Sequence, residues 1–119
     1  MANIHDSLAK LMTIDGAIGV ALVDSGSGMA LGTLGTGLDL ELAAAGNTEV
    51  VRAKLKTISA LGLNETIDDI LITLSSQYHI IRPLAAAPEV FIYIALDKAR
   101  GNLALARLST REVEKQLEL

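Results

Sequence analysis

The segment from Asp39 to Gly62 constrains the fold most, because it reads as one long helix with two separate apolar stripes. Asp39 can cap its start, Gly62 can end it, and no proline interrupts it. Leu40, Ala44, Asn47, Val51, Leu55 and Ile58 follow the helical period and make a first, largely apolar stripe. At 100° per residue, a second stripe of mostly small residues lies about 130° further around: Ala43, Gly46, Val50, Ala53, Thr57 and Ala60. Glu41, Glu49, Arg52 and Lys56 occupy the remaining sector. Only Lys54 interrupts the apolar arc, and a lysine stem can lie along apolar surface while its ammonium reaches water. One sheet covers one stripe. The second needs another partner, and a chain of 119 residues has little left to supply it.

The flanking segments supply the sheet. Ala17 to Asp24 is rich in β-branched residues and reads as a strand, Ser25 to Gly28 as a turn, and Met29 to Leu34 as the return strand of a hairpin. After a polar loop from Asn64 to Asp68 come three strand candidates: Ile70 to Ser75, Tyr78 to Pro83 and Glu89 to Asp97. Their short links imply antiparallel neighbours. A helix opens the chain, capped by Asn3 with Asp6 in its first turn, and Ile4, Leu8, Leu11 and Met12 share its inner face. Another closes it, from about Arg100 to Leu117, with Ala99, Leu103, Ala106, Thr110, Val113 and Leu117 on one side. The predicted order is α-β-β-α-β-β-β-α in one α/β domain spanning residues 1–119. A five-stranded antiparallel sheet with helices on both faces satisfies every apolar stripe but one. Ile70-Leu71-Ile72-Thr73-Leu74 also lacks the charge or proline that protects an exposed edge.

Composition narrows the function by exclusion. Half the residues are apolar, enough for a packed core, but Tyr78, Phe91 and Tyr93 are the only aromatics, which counts against stacking platforms for bases or sugars. The net charge of −4 offers no basic excess for phosphates, so no nucleic-acid partner is expected. Without cysteine there is no disulfide, thiolate nucleophile or Cys-based zinc site. The longest apolar runs, Ala17 to Val23 and Val90 to Leu96, fall far short of the roughly 20 residues of a membrane span, and no signal peptide is evident. A cytoplasmic domain without membrane insertion is the expectation. Charge is uneven along the chain: residues 1–51 hold one base and six acids, residues 52–119 nine bases and eight acids.

Catalytic constellations are missing from the pattern. Gly26-Ser27-Gly28 with Gly32 falls short of a dinucleotide fingerprint, because a strand rather than a helix follows it; the hairpin turn is the better reading. No G-x-x-x-x-G-K-[ST] occurs. His5 and His79 have no metal-ligand neighbours at helix or strand spacing, and His79 reads as a surface or hydrogen-bonded histidine. Asp24 and Asp97 each close a strand, and in antiparallel strands those ends lie about 20 Å apart, too far for an acid–base pair. Glu65, Asp68 and Asp69 read as solvated loop carboxylates. Neither enzymatic activity nor a cofactor or metal is expected.

The element order resembles the Roadblock/LC7 domain over the span from Leu8 to Arg107. Ile14-Asp15-Gly16-Ala17-Ile18-Gly19-Val20-Ala21-Leu22-Val23-Asp24 and Asn102-Leu103-Ala104-Leu105-Ala106-Arg107 carry the resemblance. It implies sheet order 2-1-5-4-3, with the long helix on one face and the two terminal helices on the other. It also implies a homodimer in which third strands pair across a two-fold axis and second helices pack side by side. Both unassigned apolar features would then be covered: Ala43, Gly46, Val50, Ala53 and Thr57 on the helix, and Ile70, Leu71, Ile72 and Thr73 on the strand. Members of this family are non-catalytic platforms, and a stand-alone chain is similar to the prokaryotic regulators of Ras-like small GTPases. Glu41, Glu49, Arg52 and Lys56 would then face the partner. The alternative is a small-ligand sensor or structural adaptor of the same layered architecture, although a core poor in aromatics offers little shape for specific recognition.

Overall fold

A computed structural model describes residues 2–119. The elements are α1 (Ile4–Leu11), β1 (Ala17–Asp24), β2 (Met29–Gly35), α2 (Leu40–Ala60), β3 (Ile70–Thr73), β4 (Gln77–Pro83), β5 (Val90–Asp97) and α3 (Leu103–Gln116). All five strands form one antiparallel sheet in the order β2-β1-β5-β4-β3. Thus β1 and β5, the two most apolar strands, lie inside the sheet, and β2 and β3 form its edges.

Each face carries its own core. On one side α2 covers Ala21, Val23, Ile81, Phe91, Tyr93 and Ala95; on the other α1 and α3 cover Val20, Leu22, Ile80, Ile92, Ile94 and Leu96. The even–odd split along β1 and β5 is the two-residue period of a strand buried on both sides. Gly32 lets α1 approach β2, since a Cβ there would stand 2.9 Å from Leu8 and 3.0 Å from Ile4. Caps fix the helix starts: Asn3, Asp39 and Asn102 accept from the N–H groups of Asp6, Leu42 and Leu105. Gly62, at φ +70°, ends α2 in a conformation that favours glycine.

The course of α2 over the sheet is set by lengths. Leu40 packs over Gly19, where a Cβ would come within 3.1 Å, and Arg52 reaches the carbonyls of Ser25 and Gly26. Six strand residues from Gly19 to Ser25 span about 20 Å. Twelve helical residues from Leu40 to Arg52 span about 18 Å. The helix therefore reaches the end of the sheet near Arg52 and continues for two more turns beyond it. Leu40, Ala44, Thr48 and Val51 are buried, whereas from Arg52 to Ala60 every residue is exposed except the half-buried Ile58. The first stripe is thus covered over half its length only, and Leu55 is 48% exposed.

Three other expectations are corrected. The last helix begins at Leu103 rather than near Arg100, because Asn102 caps it; Ala99 lies in the preceding turn, exposed and off the helical face. The third strand ends at Thr73, two residues before Ser75. Asp69 is no solvated loop carboxylate: its side chain is 12% exposed and receives both Arg107 Nε, at 2.9 Å, and Nη2, at 2.5 Å. The guanidinium holds the Asp69 carboxyl below its usual range. This pair fastens the entry to β3 onto α3.

Candidate functional site

The second stripe of α2 and the β3 edge adjoin. Val50, Ala53 and Thr57 line one open groove with Thr66, Ile67 and Ile70, and Lys54, Asp68 and Asp69 stand along it. On the helix Ala43 is half-buried, while Gly46, Val50, Ala53 and Thr57 are exposed. Nothing within 4 Å would meet a Cβ at Gly46, so that part of the helix has open space beside it. On β3, Ile70 packs toward the α2 core and Leu71 toward the opposite core. Ile72 alternates back to the side of Ile70, and Thr73 is exposed. Among the described residues only β4 pairs with β3, leaving its outer N–H and C=O groups without a strand there.

Beneath this surface runs a polar string. The Tyr93 hydroxyl donates to His79 Nδ1 at 3.1 Å, and His79 Nε2 donates to Gln77 Oε1 at 2.7 Å. An amide oxygen only accepts, so the proton of the neutral ring sits on Nε2. Asn47 of α2 hydrogen-bonds the Tyr93 oxygen, and the two rings meet edge to face at 5.4 Å. Burial lowers the His79 pKa and raises that of Tyr93, so both are neutral at pH 7. His79 is the hydrogen-bonded histidine expected of it. Its partner Tyr93 lies on another strand, and no local spacing announces that pair.

Of the four charged residues in the outer sector of α2, Arg52 is not free. Its Nη2 donates to the Ser25 carbonyl at 2.7 Å and to that of Gly26 at 3.0 Å, and its Nη1 meets Glu49 Oε1 at 3.1 Å. The turn it grips is already braced. Asp24 accepts from the Gly26 N–H and the Ser27 hydroxyl, and Ser25 donates to the Glu89 carbonyl at 2.7 Å. The Ser27 and Gly26 contacts hold the Asp24 carboxyl below its usual range. Gly26-Ser27-Gly28 is therefore a hairpin turn, as its context predicts. Glu41, Glu49 and Lys56 are exposed.

Asp24 and Asp97 lie at opposite ends of the paired strands β1 and β5, since Asp24 stands across from Val90. A second ion pair has no local sequence signal: Arg82 Nε donates to Glu114 Oε1 at 2.5 Å, and Glu114 Oε2 accepts from the Ala85 N–H at 2.7 Å. It joins β4 to α3 across 32 residues of chain. Among the described residues no group of three or more His, Cys, Asp or Glu side chains converges to hold a metal ion. No helix of the described residues is long and apolar enough to cross a membrane.

Sheet order β2-β1-β5-β4-β3, with the long second helix on one face and both terminal helices on the other, defines the Roadblock/LC7 fold, and this chain has that fold. A Roadblock/LC7 domain from Streptomyces avermitilis superposes with a TM-score of 0.82 at 11% identity, over 97% of this chain and 94% of the other. Myxococcus xanthus MglB follows at 0.80 and 19% identity, covering 95% of this chain and 92% of its own. The gliding protein MglB from Thermus thermophilus gives 0.79 at 13% identity, covering 93% and 82%. No protein-family model and no curated protein matches the sequence. The likeness is one of backbone architecture.

Proposed function

We propose that this protein is a non-catalytic homodimeric scaffold that regulates a Ras-like small GTPase. The observation that carries the dimer is the adjacency of two uncovered features, the second stripe of α2 and the unpaired β3 edge. A second copy related by a two-fold axis covers both at once. Its β3 satisfies the free backbone groups of Ile70 to Thr73, and its α2 packs small residues against Ala43, Gly46, Val50, Ala53 and Thr57. Small side chains let two helices approach closely, and Gly46 faces open space where a neighbouring backbone fits.

The GTPase reading rests on the Roadblock/LC7 architecture together with the MglB proteins among the structures that share it. In this reading the chain presents a preformed surface and supplies no reacting group. The state of Arg52 supports that view. An arginine finger reaches into a partner's phosphate site, whereas this guanidinium is committed to Ser25, Gly26 and Glu49 of its own chain.

Sedimentation equilibrium at micromolar concentration tests the dimer and should return twice the 12.5 kDa chain mass. A protein that stays at one chain mass at high concentration removes the proposal. Single-turnover GTP hydrolysis by a Ras-like GTPase, titrated with this protein, tests the regulatory role. A rate and nucleotide affinity that do not respond at any concentration count against it.

A further inference from the structure

α2 crosses the sheet on a slant. It starts with Leu40 over Gly19 of β1, and further along Val50, Ala53 and Thr57 line the groove with Ile70 of β3. The other end of β3 is left open on this face. There Ile72 stands across from His79 of β4, whose ring bonds Gln77 two residues before it. Strand alternation puts these three on the side of Ile70 and Ile81, which belong to the α2 core. Ile81 is fully buried, whereas Ile72, Gln77 and His79 are half-buried. A titratable ring therefore sits in a corner of the sheet that its own helix does not close.

What closes that corner follows from symmetry, and the argument rests on the dimer proposed above. Antiparallel pairing of β3 with its own copy, centred on Ile70–Thr73, sets Ile70 of each chain across from Thr73 of the other. A partner helix that slants toward its own Ile70 then arrives over the open corner. The partner's Val50, Ala53 and Lys54, which flank that isoleucine, come to lie over Ile72 and His79. Association thus buries His79 further and brings a lysine toward it.

The described groups around the ring are not arranged to hold a positive charge. From β5 it meets the Tyr93 hydroxyl, from α2 the uncharged Asn47 through that hydroxyl, from β3 Ile72, and from its own strand Gln77. Asp97, across the ladder from Gln77, is taken by the Ala99 N–H and by Arg100. Lys54 of the same chain stands beside Ile70, at the far end of β3. Burial is the cause of the lowered His79 pKa. A proton on Nδ1 also removes the lone pair that accepts from Tyr93, so the hydroxyl, which Asn47 already bonds, would have to reverse.

We propose that His79 is a pH switch on dimerisation: the neutral ring fits beneath the partner's helix, and the imidazolium drives the two copies apart. Pairing lowers the affinity of the ring for its proton, so the separate chain binds that proton more readily. The dimer is at full strength above pH 6.5 and weakens as pH falls below it.

Sedimentation equilibrium at pH 7.5 and 5.5 tests the switch on the unmodified protein, with circular dichroism confirming that the fold is kept. The dissociation constant should rise about tenfold at pH 5.5, because each dimer carries two such rings. In His79→Leu it should differ by less than about twofold between the two pH values, and His79→Gln gives the same reading if leucine disturbs the sheet. Lys54→Ala, an exposed change, should reduce the rise to about threefold by removing the like charge. Followed by NMR, the His79 ring should titrate at a higher pH in monomeric Ala53→Arg than in the unmodified dimer. A dimer with one constant at both pH values, or a ring that titrates alike in both chains, overturns the switch and leaves the dimer standing. A tenfold rise that persists in both His79 variants places the titration elsewhere and overturns it too. One chain mass at pH 7.5 removes the dimer itself, and the switch with it.

Discussion

The two halves of α2 have similar sequences and opposite environments. From Leu40 to Arg52 the helix lies on the sheet and buries Leu40, Ala44, Thr48 and Val51; from Ala53 to Ala60 it runs past the sheet end and buries nothing fully. The first apolar stripe continues unbroken through both, as Leu55 and Ile58 follow Val51 at helical spacing. Periodicity therefore reports which face of a helix is apolar, and it is silent on where the surface beneath that face stops. That limit belongs to the strands, whose rise per residue is about twice the helical one. The overhanging half has no sheet beneath it, and the covered half is the part that holds the chain together.

Ala53→Arg should separate the halves most sharply. In the proposed dimer it places an unpaired charge between two helices, at a cost of about 3–5 kcal/mol to association, while the fold of each chain is kept. Sedimentation should show one chain mass with an unchanged circular dichroism spectrum; a variant that remains dimeric would move the interface elsewhere. Leu40→Ala should do the reverse. Its side chain is buried over Gly19, and its loss should cost about 3 kcal/mol of folding stability, read from the urea midpoint. A cost under about 1 kcal/mol would mean that the covered half is not the anchor.

Arg52 marks the boundary, and Arg52→Ala should lower stability by about 1–2 kcal/mol through the two hydrogen bonds it gives the turn. The GTPase rate at saturating scaffold should stay nearly unchanged. A loss of about 10³-fold there would instead identify a finger and sink the scaffold reading.

The covered half is also tied to the sheet through Asn47, Tyr93 and His79, which gives a smaller, pH-dependent effect. Burial lowers the folded-state pKa of His79 below 6.5, so below that pH the unfolded chain binds the proton more readily. Its contribution is complete above pH 6.5 and is lost as pH falls toward the folded value. Urea midpoints at pH 7.5 and 5.5 should show the drop, and His79→Leu should flatten it; an identical drop in the variant would place the titration elsewhere. Least affected of all should be Leu55→Ala introduced into the Ala53→Arg background. With no partner chain present, its folding stability should change by no more than about 0.5 kcal/mol, because the leucine overhangs the sheet.

Local chemistry made most of this legible in the sequence. The caps Asn3 and Asp39, the stop at Gly62, the hairpin at Ser25 to Gly28 and the strand β1 all follow from residues within a few positions of one another. The lack of charge and proline from Ile70 to Leu74 is equally local, but the place of this strand at the sheet edge was an implication of the family resemblance, which the sheet order bears out. Contacts between residues far apart in the chain were settled only by the tertiary structure. The Asp69–Arg107 and Arg82–Glu114 pairs, the Tyr93–His79 string and the grip of Arg52 on the β1–β2 turn join segments that carry no mutual sequence signal. A charge in a loop looks solvated until the helix opposite it is placed, and Asp69 was such a case. Placement of α3 gave Asp69 its arginine, and the finite length of β1 left the end of α2 without a floor. Both outcomes depend on where elements meet in space, which neither propensity nor periodicity encodes.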